Sequence, residues 1–167
     1  LVAEKEDRLS GSTALSSGLT PAADTNAQAR QKLDDSTDQF FSDIMAKNNY
    51  QADPAHVRRC ITNVSAAINW LEAQHNIPFH VLDSFLYPGH SNYRMHAVPE
   101  VTGEALVRRL EKAATDREIL ISCNLNITDL VMSNACEIKG VKAERPNGAA
   151  EYIAATSVIL ACNGYGG

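Results

Sequence analysis

The stretch that decides the fold is Ser157–Gly167, which reads SVILACNGYGG. Its first part, Ser157–Ala161, is mostly apolar, and glycines follow within a few residues. A short, continuous apolar run is typical of a strand that is buried on both faces of a parallel sheet. Small residues after such a strand let the backbone come close to a phosphate or a flat ring. The sequence therefore predicts a parallel strand that ends against a ligand.

A second apolar segment, Leu1–Ala3, ends at Glu4. In dinucleotide-binding folds, a carboxylate at the end of such a strand accepts hydrogen bonds from the hydroxyls of the adenosine ribose. An ordinary solvated strand end has the same sequence, so both interpretations stand at this point. The same holds for Ser10–Gly18, where glycines and hydroxyls suit a phosphate but also suit a plain loop.

Helical signals occupy residues 36–75 and return at Thr102. Ser36 and Gln39 fit a capping box, and Asp53 followed by proline fits a second helix start. The spacing of apolar residues in the second helix predicts one buried face. That face is formed by Val57, Ile61, Val64, Ile68 and Leu71.

Beyond Arg117 the pattern changes to short alternating strands. Residues 127–154 predict an antiparallel β-meander, in which Gly140 indicates a bulge or a close approach. Pro146-Asn147-Gly148 predicts a hairpin turn within it. Strands alternate with helices elsewhere, so the sequence indicates an α/β fold with an antiparallel addition.

The composition excludes several classes of function. The chain has 167 residues and a net charge of −5, without a basic run that would favour nucleic acid. The apolar stretches are shorter than a membrane span requires. The four cysteines lack the spacing of a metal site, so we expect free thiols in a reducing, cytoplasmic compartment.

One loop, Gly89–His96, concentrates groups that could carry chemistry. His90, Arg94 and His96 together suit an anionic group or a developing negative charge. A metal is not expected there, because no acidic residue lies between the histidines. The alternative is a loop whose polar side chains only cap neighbouring carbonyls.

These pieces occur in an order that resembles the flavoprotein family of fumarate reductase and succinate dehydrogenase subunits, which includes ketosteroid dehydrogenases. The sequence is most similar to the branch of FAD-dependent oxidoreductases that carries GHSxxRMH. The resemblance extends over nearly the whole chain. Its main stretches are AEK (3–5), SGSTALSSG (10–18), RMH with TGEAL (94–106) and VILACNGYGG (158–167).

The resemblance implies that residues 1–167 are part of a Rossmann-like FAD-binding domain with inserted helices and a small β-meander. It implies an oxidoreductase that transfers a hydride between FAD and a carbon of a small organic substrate. The reaction would dehydrogenate a CH–CH unit or reduce an activated C=C bond. The implied cofactor-binding residues are Glu4, Lys5, Gly11, Ser12, Thr13, Gly18, Ile127, Ala161, Cys162 and Gly164. His90, Arg94 and His96 would lie near the flavin or the substrate entrance.

The chain departs from the family at Ser10 and Asn163, where glycine is usual, and both residues remain compatible with FAD. The resemblance further implies an internal fragment. The glycine-rich turn would precede Leu1, and the catalytic arginine would follow Gly167, so no catalytic residue is assigned. We therefore expect the chain alone to bind FAD poorly. The alternative hypothesis is a non-catalytic α+β binding domain without flavin.

Overall fold

The computed structural model describes residues 1–163 as helices and short strands that form two compact units. One unit is Thr13–Leu110, and the other combines Leu1–Ser12 with the described residues from Glu111 onward. The helices are Gly11–Leu15 (α1), Asn26–Gln31 (α2), Thr37–Lys47 (α3), Pro54–His75 (α4) and Gly103–Thr115 (α5). The strands are Val2–Ala3 (β1), Thr20–Pro21 (β2), His80–Val81 (β3), Met95–Ala97 (β4), Ile121–Ser122 (β5), Asn126–Met132 (β6), Ile138–Glu144 (β7) and Ala150–Ala154 (β8).

The helices α3 and α4 begin at the residues that the sequence indicates. The Ser36 hydroxyl accepts a hydrogen bond from the Gln39 N–H, and the Asp53 carboxylate accepts one from the Ala55 N–H. These side chains satisfy N–H groups that the first turn of a helix leaves unpaired. The two helices pack together through a buried cluster that contains Phe40, Met45, Val57 and Ile61. None of the described helices is both long and apolar enough to cross a membrane.

A second buried cluster lies in the unit Thr13–Leu110, which also contains α3 and α4. It lies beside a small antiparallel sheet with the strand order β2-β4-β3. The helix α2 has a complete capping box, in which Thr25 and Gln28 bond to each other's backbone N–H groups. The cluster joins the end of α4 to the sheet and to α5. It contains Ala22, Ala27, Ile68, Ile77, Phe79, Val81, Val98, Ala105 and Leu106.

The strands β6, β7 and β8 form the antiparallel meander that the sequence predicts. Val131 pairs with Gly140 and Met132 pairs with Ile138, so Lys139 is an extra residue and produces a bulge. A Cβ atom on Gly140 would overlap the carbonyl oxygen of Ile153 on the adjacent strand. Glycine is therefore required at this point for the two strands to approach.

The prediction for the last strand is wrong within the described residues. Val2 and Ala3 do form a parallel pair, but their partners are Ile121 and Ser122 in β5. Residues 157–163 form no strand, and Ile159 is 91% exposed. An apolar sequence becomes a strand only when another strand pairs with its backbone groups, and no described strand does so here.

Candidate cofactor site

The chain that follows β1 is held by backbone hydrogen bonds, which position Glu4. The Glu4 N–H donates to the carbonyl of Ser122 at 3.0 Å, and the Glu4 carbonyl accepts from the Leu125 N–H at 2.9 Å. The side chain is half-buried, and its Oε1 accepts the Glu6 N–H at 2.9 Å. Within the described part of the chain, Oε2 has no hydrogen-bond partner. One carboxylate oxygen therefore fixes the side chain while the other can accept from a ligand.

A cleft of about 310 Å³ lies beside this segment, in the same unit. Arg145 lies at its wall and is already committed, because it donates to the Glu151 carboxylate and to the carbonyl of Cys123. Ile127, the second residue of β6, follows the cleft residue Asn126 and pairs with Ala143. The residues that line the cleft are Lys5, Glu6, Asn124, Asn126, Glu144, Arg145 and Pro146.

The small-residue segment forms the short helix α1 and a turn, where the sequence indicated a loop. Gly11 and Gly18 both have positive φ angles, +78° and +66°. This left-handed backbone costs little for glycine, which explains both residues. The Ser16 hydroxyl donates to the Thr13 carbonyl at 2.8 Å and accepts the Gly18 N–H at 2.9 Å. The segment is therefore ordered by its own hydrogen bonds.

The end of the described chain contacts this segment at Ser12. The Asn163 side-chain amide donates to the Ser12 hydroxyl at 2.8 Å, and both residues belong to the same unit. Asn163 has a φ angle of +68°, a conformation that asparagine tolerates well. Ala161 and Cys162 directly precede Asn163 in the sequence, so they lie next to a residue that is hydrogen-bonded to Ser12. Gly164 lies outside the described residues.

Arg94, in the other unit, is completely buried and ion-paired. Its Nε and Nη2 donate to the two oxygens of Asp35 at 3.0 and 2.9 Å. Its Nη1 donates to Asp43 at 2.7 Å, and its guanidinium lies 4.6 Å from the centre of the Phe40 ring. The side chains of Arg94 and Asp35 are 0% exposed, so this guanidinium does not face open space.

The two carboxylates also hold the loop before Arg94. Asp43 accepts the N–H and the hydroxyl of Ser91, and Asp35 accepts the Asn92 side-chain amide. Burial alone would raise the pKa of Asp43, but hydrogen bonds from Ser91 and the charge of Arg94 keep that pKa below its usual value. Sequence reasoning missed both aspartates. That the loop lies near flavin or substrate stays a prediction.

His96 is fully buried and has hydrogen-bond partners on both ring nitrogens. Its Nδ1 lies 2.9 Å from the Arg94 carbonyl, which can only accept, so Nδ1 carries the proton. Its Nε2 lies 2.7 Å from the Thr25 hydroxyl and accepts from it when the ring is neutral. Burial lowers the pKa of His96, although the hydrogen bond to Arg94 opposes that shift.

His90 lies between aromatic rings, with its centroid 6.2 Å from that of Phe40 and 6.3 Å from that of Tyr87. Its Nδ1 is buried and has no partner among the described residues. Burial lowers the pKa of His90, and the nearby charge of Arg94 lowers it further. Both histidines are therefore more readily neutral in the folded chain than in the unfolded chain.

These two shifts predict a pH dependence of stability. The ordinary pKa of histidine is 6.5, and the pKa values of His90 and His96 in the folded chain lie below it. The unfolded chain therefore binds more protons than the folded chain as the pH falls. The free energy of unfolding should therefore fall from about pH 7 downward until the folded pKa values are passed. The charged groups that act on His96 are Glu72 and Asp35, and both oppose the lowering of its pKa by burial.

Urea unfolding at several pH values between about 5 and 8 measures this dependence. His96→Gln should show a flatter profile than the parent chain, and His56→Gln, at an exposed position of α4, controls for the loss of one imidazole. Equal profiles in the parent and in His96→Gln would contradict the prediction. The pKa values of Asp43 and Glu72 are also lowered, but carboxylates lose their contribution at lower pH.

Comparison with known proteins identifies one family over the whole chain. The family model described as FAD binding domain matches residues 1–167. The chain is 25% identical to the NADH:fumarate oxidoreductase of Klebsiella pneumoniae (strain 342), over 99% of this chain and 18% of that protein. It is also 25% identical to a fumarate reductase (cytochrome) of Shewanella frigidimarina, over 99% of this chain and 29% of that protein. The chain thus spans less than a third of these relatives.

Solved structures show the same fold. The open conformation of a flavocytochrome c3 fumarate reductase matches with a TM-score of 0.86 and 24% identity, over 99% of this chain and 29% of that one. The 3-ketosteroid-delta4-(5alpha)-dehydrogenase of Rhodococcus jostii RHA1 matches with a TM-score of 0.76 and 19% identity, over 93% of this chain and 38% of that one. Within residues 1–163, no group of three or more potential ligands could hold a metal ion.

Proposed function

This chain belongs to the FAD-binding domain family, and on that premise we propose that it is the cofactor-binding part of a flavin-dependent oxidoreductase. FAD is its cofactor. The reaction that we propose transfers a hydride between FAD and a carbon of a small organic substrate. It either dehydrogenates a CH–CH unit or reduces an activated C=C bond. The observation that carries this proposal is the match of the family model to all 167 residues.

The described residues suit FAD at two places. The unpartnered oxygen of Glu4 is a suitable acceptor for a ribose hydroxyl, at the end of a parallel strand. Around Gly11 the backbone is open, because a Cβ atom there would meet nothing within 4 Å. Backbone N–H groups and hydroxyls are the donors that bind a pyrophosphate, and Gly11, Ser12 and Thr13 offer both.

The residues of this chain bind and orient the cofactor in this proposal. Bound FAD supplies the hydride-transfer chemistry, and the protein supplies position and charge. Glu4 accepts hydrogen bonds from the ribose, and the segment from Gly11 to Thr13 donates to the pyrophosphate. Ile127 packs near the adenine, and Ala161, Cys162 and Gly164 pass close to the cofactor.

The substrate class is proposed from the relatives. They are named fumarate reductase and ketosteroid dehydrogenase, and fumarate and ketosteroids are small organic molecules.

We also propose that the protein resides in the cytoplasm. All four cysteines, which are Cys60, Cys123, Cys136 and Cys162, are free thiols, as a reducing compartment would favour.

The variant Glu4→Gln tests the binding role. It keeps the shape of the side chain but removes its charge, and hydrogen bonds to charged groups contribute about 1.5–3 kcal/mol each. We therefore expect the dissociation constant for FAD to rise about tenfold or more. Titration with added FAD, followed by flavin fluorescence, measures weak binding as well as tight binding.

The control is Glu137→Gln, which neutralises a carboxylate that is ion-paired with Lys139 on the exposed surface of the same unit. Its affinity for FAD should equal that of the parent. An unchanged affinity in Glu4→Gln would remove Glu4 from the site. Because the chain alone is expected to bind FAD poorly, weak binding by the parent agrees with the proposal. A complete lack of binding at every FAD concentration would favour the alternative of a binding domain without flavin.

A further inference from the structure

Gly103, the first residue of α5, lies in direct contact with the stretch Thr13–Gly18. Its N–H donates to the Ser16 carbonyl at 2.8 Å. A Cβ atom on Gly103 would overlap the carbonyl oxygen of Thr13 and would lie 2.8 Å from that of Ser16. The contact is reciprocal, because a Cβ atom on Gly18 would lie 2.9 Å from the Cα of Gly103. The two backbones therefore meet at a distance that excludes side chains.

Backbone conformation does not explain the glycine at this position. Gly103 is helical and is not among the residues with a positive φ angle. Alanine forms helices more readily than glycine, so the helix alone would favour alanine here. The space beside the Thr13 carbonyl is the constraint that remains.

The Thr13 carbonyl is not free to move away. It accepts hydrogen bonds from both the N–H and the hydroxyl of Ser16, at 3.2 and 2.8 Å. The same hydroxyl accepts the Gly18 N–H. A displaced Thr13 carbonyl would break these bonds or move the backbone from Thr13 to Gly18 with it.

We propose that Gly103 is a positioning residue for FAD binding. Its missing side chain lets the start of α5 hold the backbone of Thr13–Gly18, so that the Thr13 N–H is placed to meet the pyrophosphate. The inference rests on the proposed function for Thr13. It adds a residue that is not proposed to touch the cofactor and that lies 90 positions after Thr13 in the sequence.

The test compares Gly103→Ala with Gly148→Ala. Gly148 lies in the exposed hairpin turn, and a Cβ atom there would meet nothing within 4 Å, so this control adds a methyl group without a collision. Its φ angle of +80° makes some loss of overall stability expected, which the FAD affinity of the folded form does not record. For Gly103→Ala we expect the dissociation constant for FAD to rise about tenfold. We also expect faster hydrogen–deuterium exchange in residues 10–18. The control should change neither measurement.

Two readouts separate positioning from mere stability. If Gly103→Ala unfolds at a lower temperature but its folded form binds FAD with the parent's affinity, the glycine is only structural and the inference is overturned. Unchanged exchange in residues 10–18 would overturn it as well. If the parent does not bind FAD, the proposed function fails, whereas the exchange measurement still tests the contact.

A second variant covers the case in which Gly103→Ala does not fold. Ser16→Ala adds no atoms and removes the hydroxyl that holds the Thr13 carbonyl and the Gly18 N–H. We expect faster exchange in residues 10–18 and weaker FAD binding, with α5 intact. Parent-like exchange and affinity in Ser16→Ala would show that the segment does not depend on its internal hydrogen bonds, which contradicts the proposal.

Discussion

Replacing Arg94 with methionine is expected to lower the free energy of unfolding by about 3–5 kcal/mol. The variant keeps most of the side-chain volume but leaves Asp35 and Asp43 buried without their cation. A buried charge that has lost its partner pays its desolvation cost without compensation, and that cost dominates the loss. Equilibrium unfolding in urea measures it, and an Arg94→Met chain that does not fold would agree with the prediction.

The matched control is Arg58→Met. Arg58 pairs with Asp38 at 2.8 Å and lies 4.0 Å over the ring of Phe41, so its partners are of the same kinds as those of Arg94. The difference is exposure, since the side chains of Arg58 and Asp38 are 56% and 83% exposed. An exposed pair contributes at most about 1 kcal/mol. Similar losses in both variants would contradict a role for burial.

Asp35→Asn and Asp43→Asn refine the same test. When both are added to Arg94→Met, no uncompensated charge remains, so part of the lost stability should return. Recovery would show that the loss in Arg94→Met came from the stranded carboxylates. If the triple variant were less stable than Arg94→Met, the polar groups of the network would matter more than its charges.

Truncation of Ile77 to alanine is expected to cost about 2–5 kcal/mol. Ile77 follows the end of α4, is 1% exposed, and belongs to the cluster that also contains Phe79 and Val81. The variant removes apolar contacts and leaves a cavity that its neighbours fill only in part. The same substitution at Ile159, which is 91% exposed, should change stability by less than about 0.5 kcal/mol.

Urea unfolding of the two alanine variants measures both values. The slope of the unfolding free energy against denaturant should stay the same, so that a shifted midpoint reports stability alone. A loss for Ile159→Ala as large as that for Ile77→Ala would mean that residues 157–163 pack against the protein in solution.

Features with local signals could be predicted from the sequence. The starts of α3 and α4 follow from Ser36 and Asp53, whose side chains bond to N–H groups two or three residues on. The meander follows from alternation and from the turn at Gly148. The predicted α/β fold class is confirmed by the matched solved structures. It could be predicted because these elements are specified within short stretches of chain.

The Arg94 network could not be predicted from the sequence. Asp35 and Asp43 lie 59 and 51 residues before Arg94, and nothing in the local pattern around them indicates an ion pair. The strand at 157–161 failed for a related reason. Apolar content shows that a segment can be buried, but its partner is a property of the fold.

One unit combines two separate stretches of the chain, Leu1–Ser12 and the described residues from Glu111 onward, so its two parts are synthesised at different times. Val2 pairs with Ile121, so β1 leaves the ribosome about 120 residues before its partner strand. At about 5–20 residues per second, that delay is on the order of 10 s. Residues 13–110 form a continuous unit and can fold within this interval, before the described partner strand of β1 has been synthesised. We expect the pairing of β1 with β5 to form only after residues 13–110 have left the ribosome, which makes this long-range contact a late step of folding.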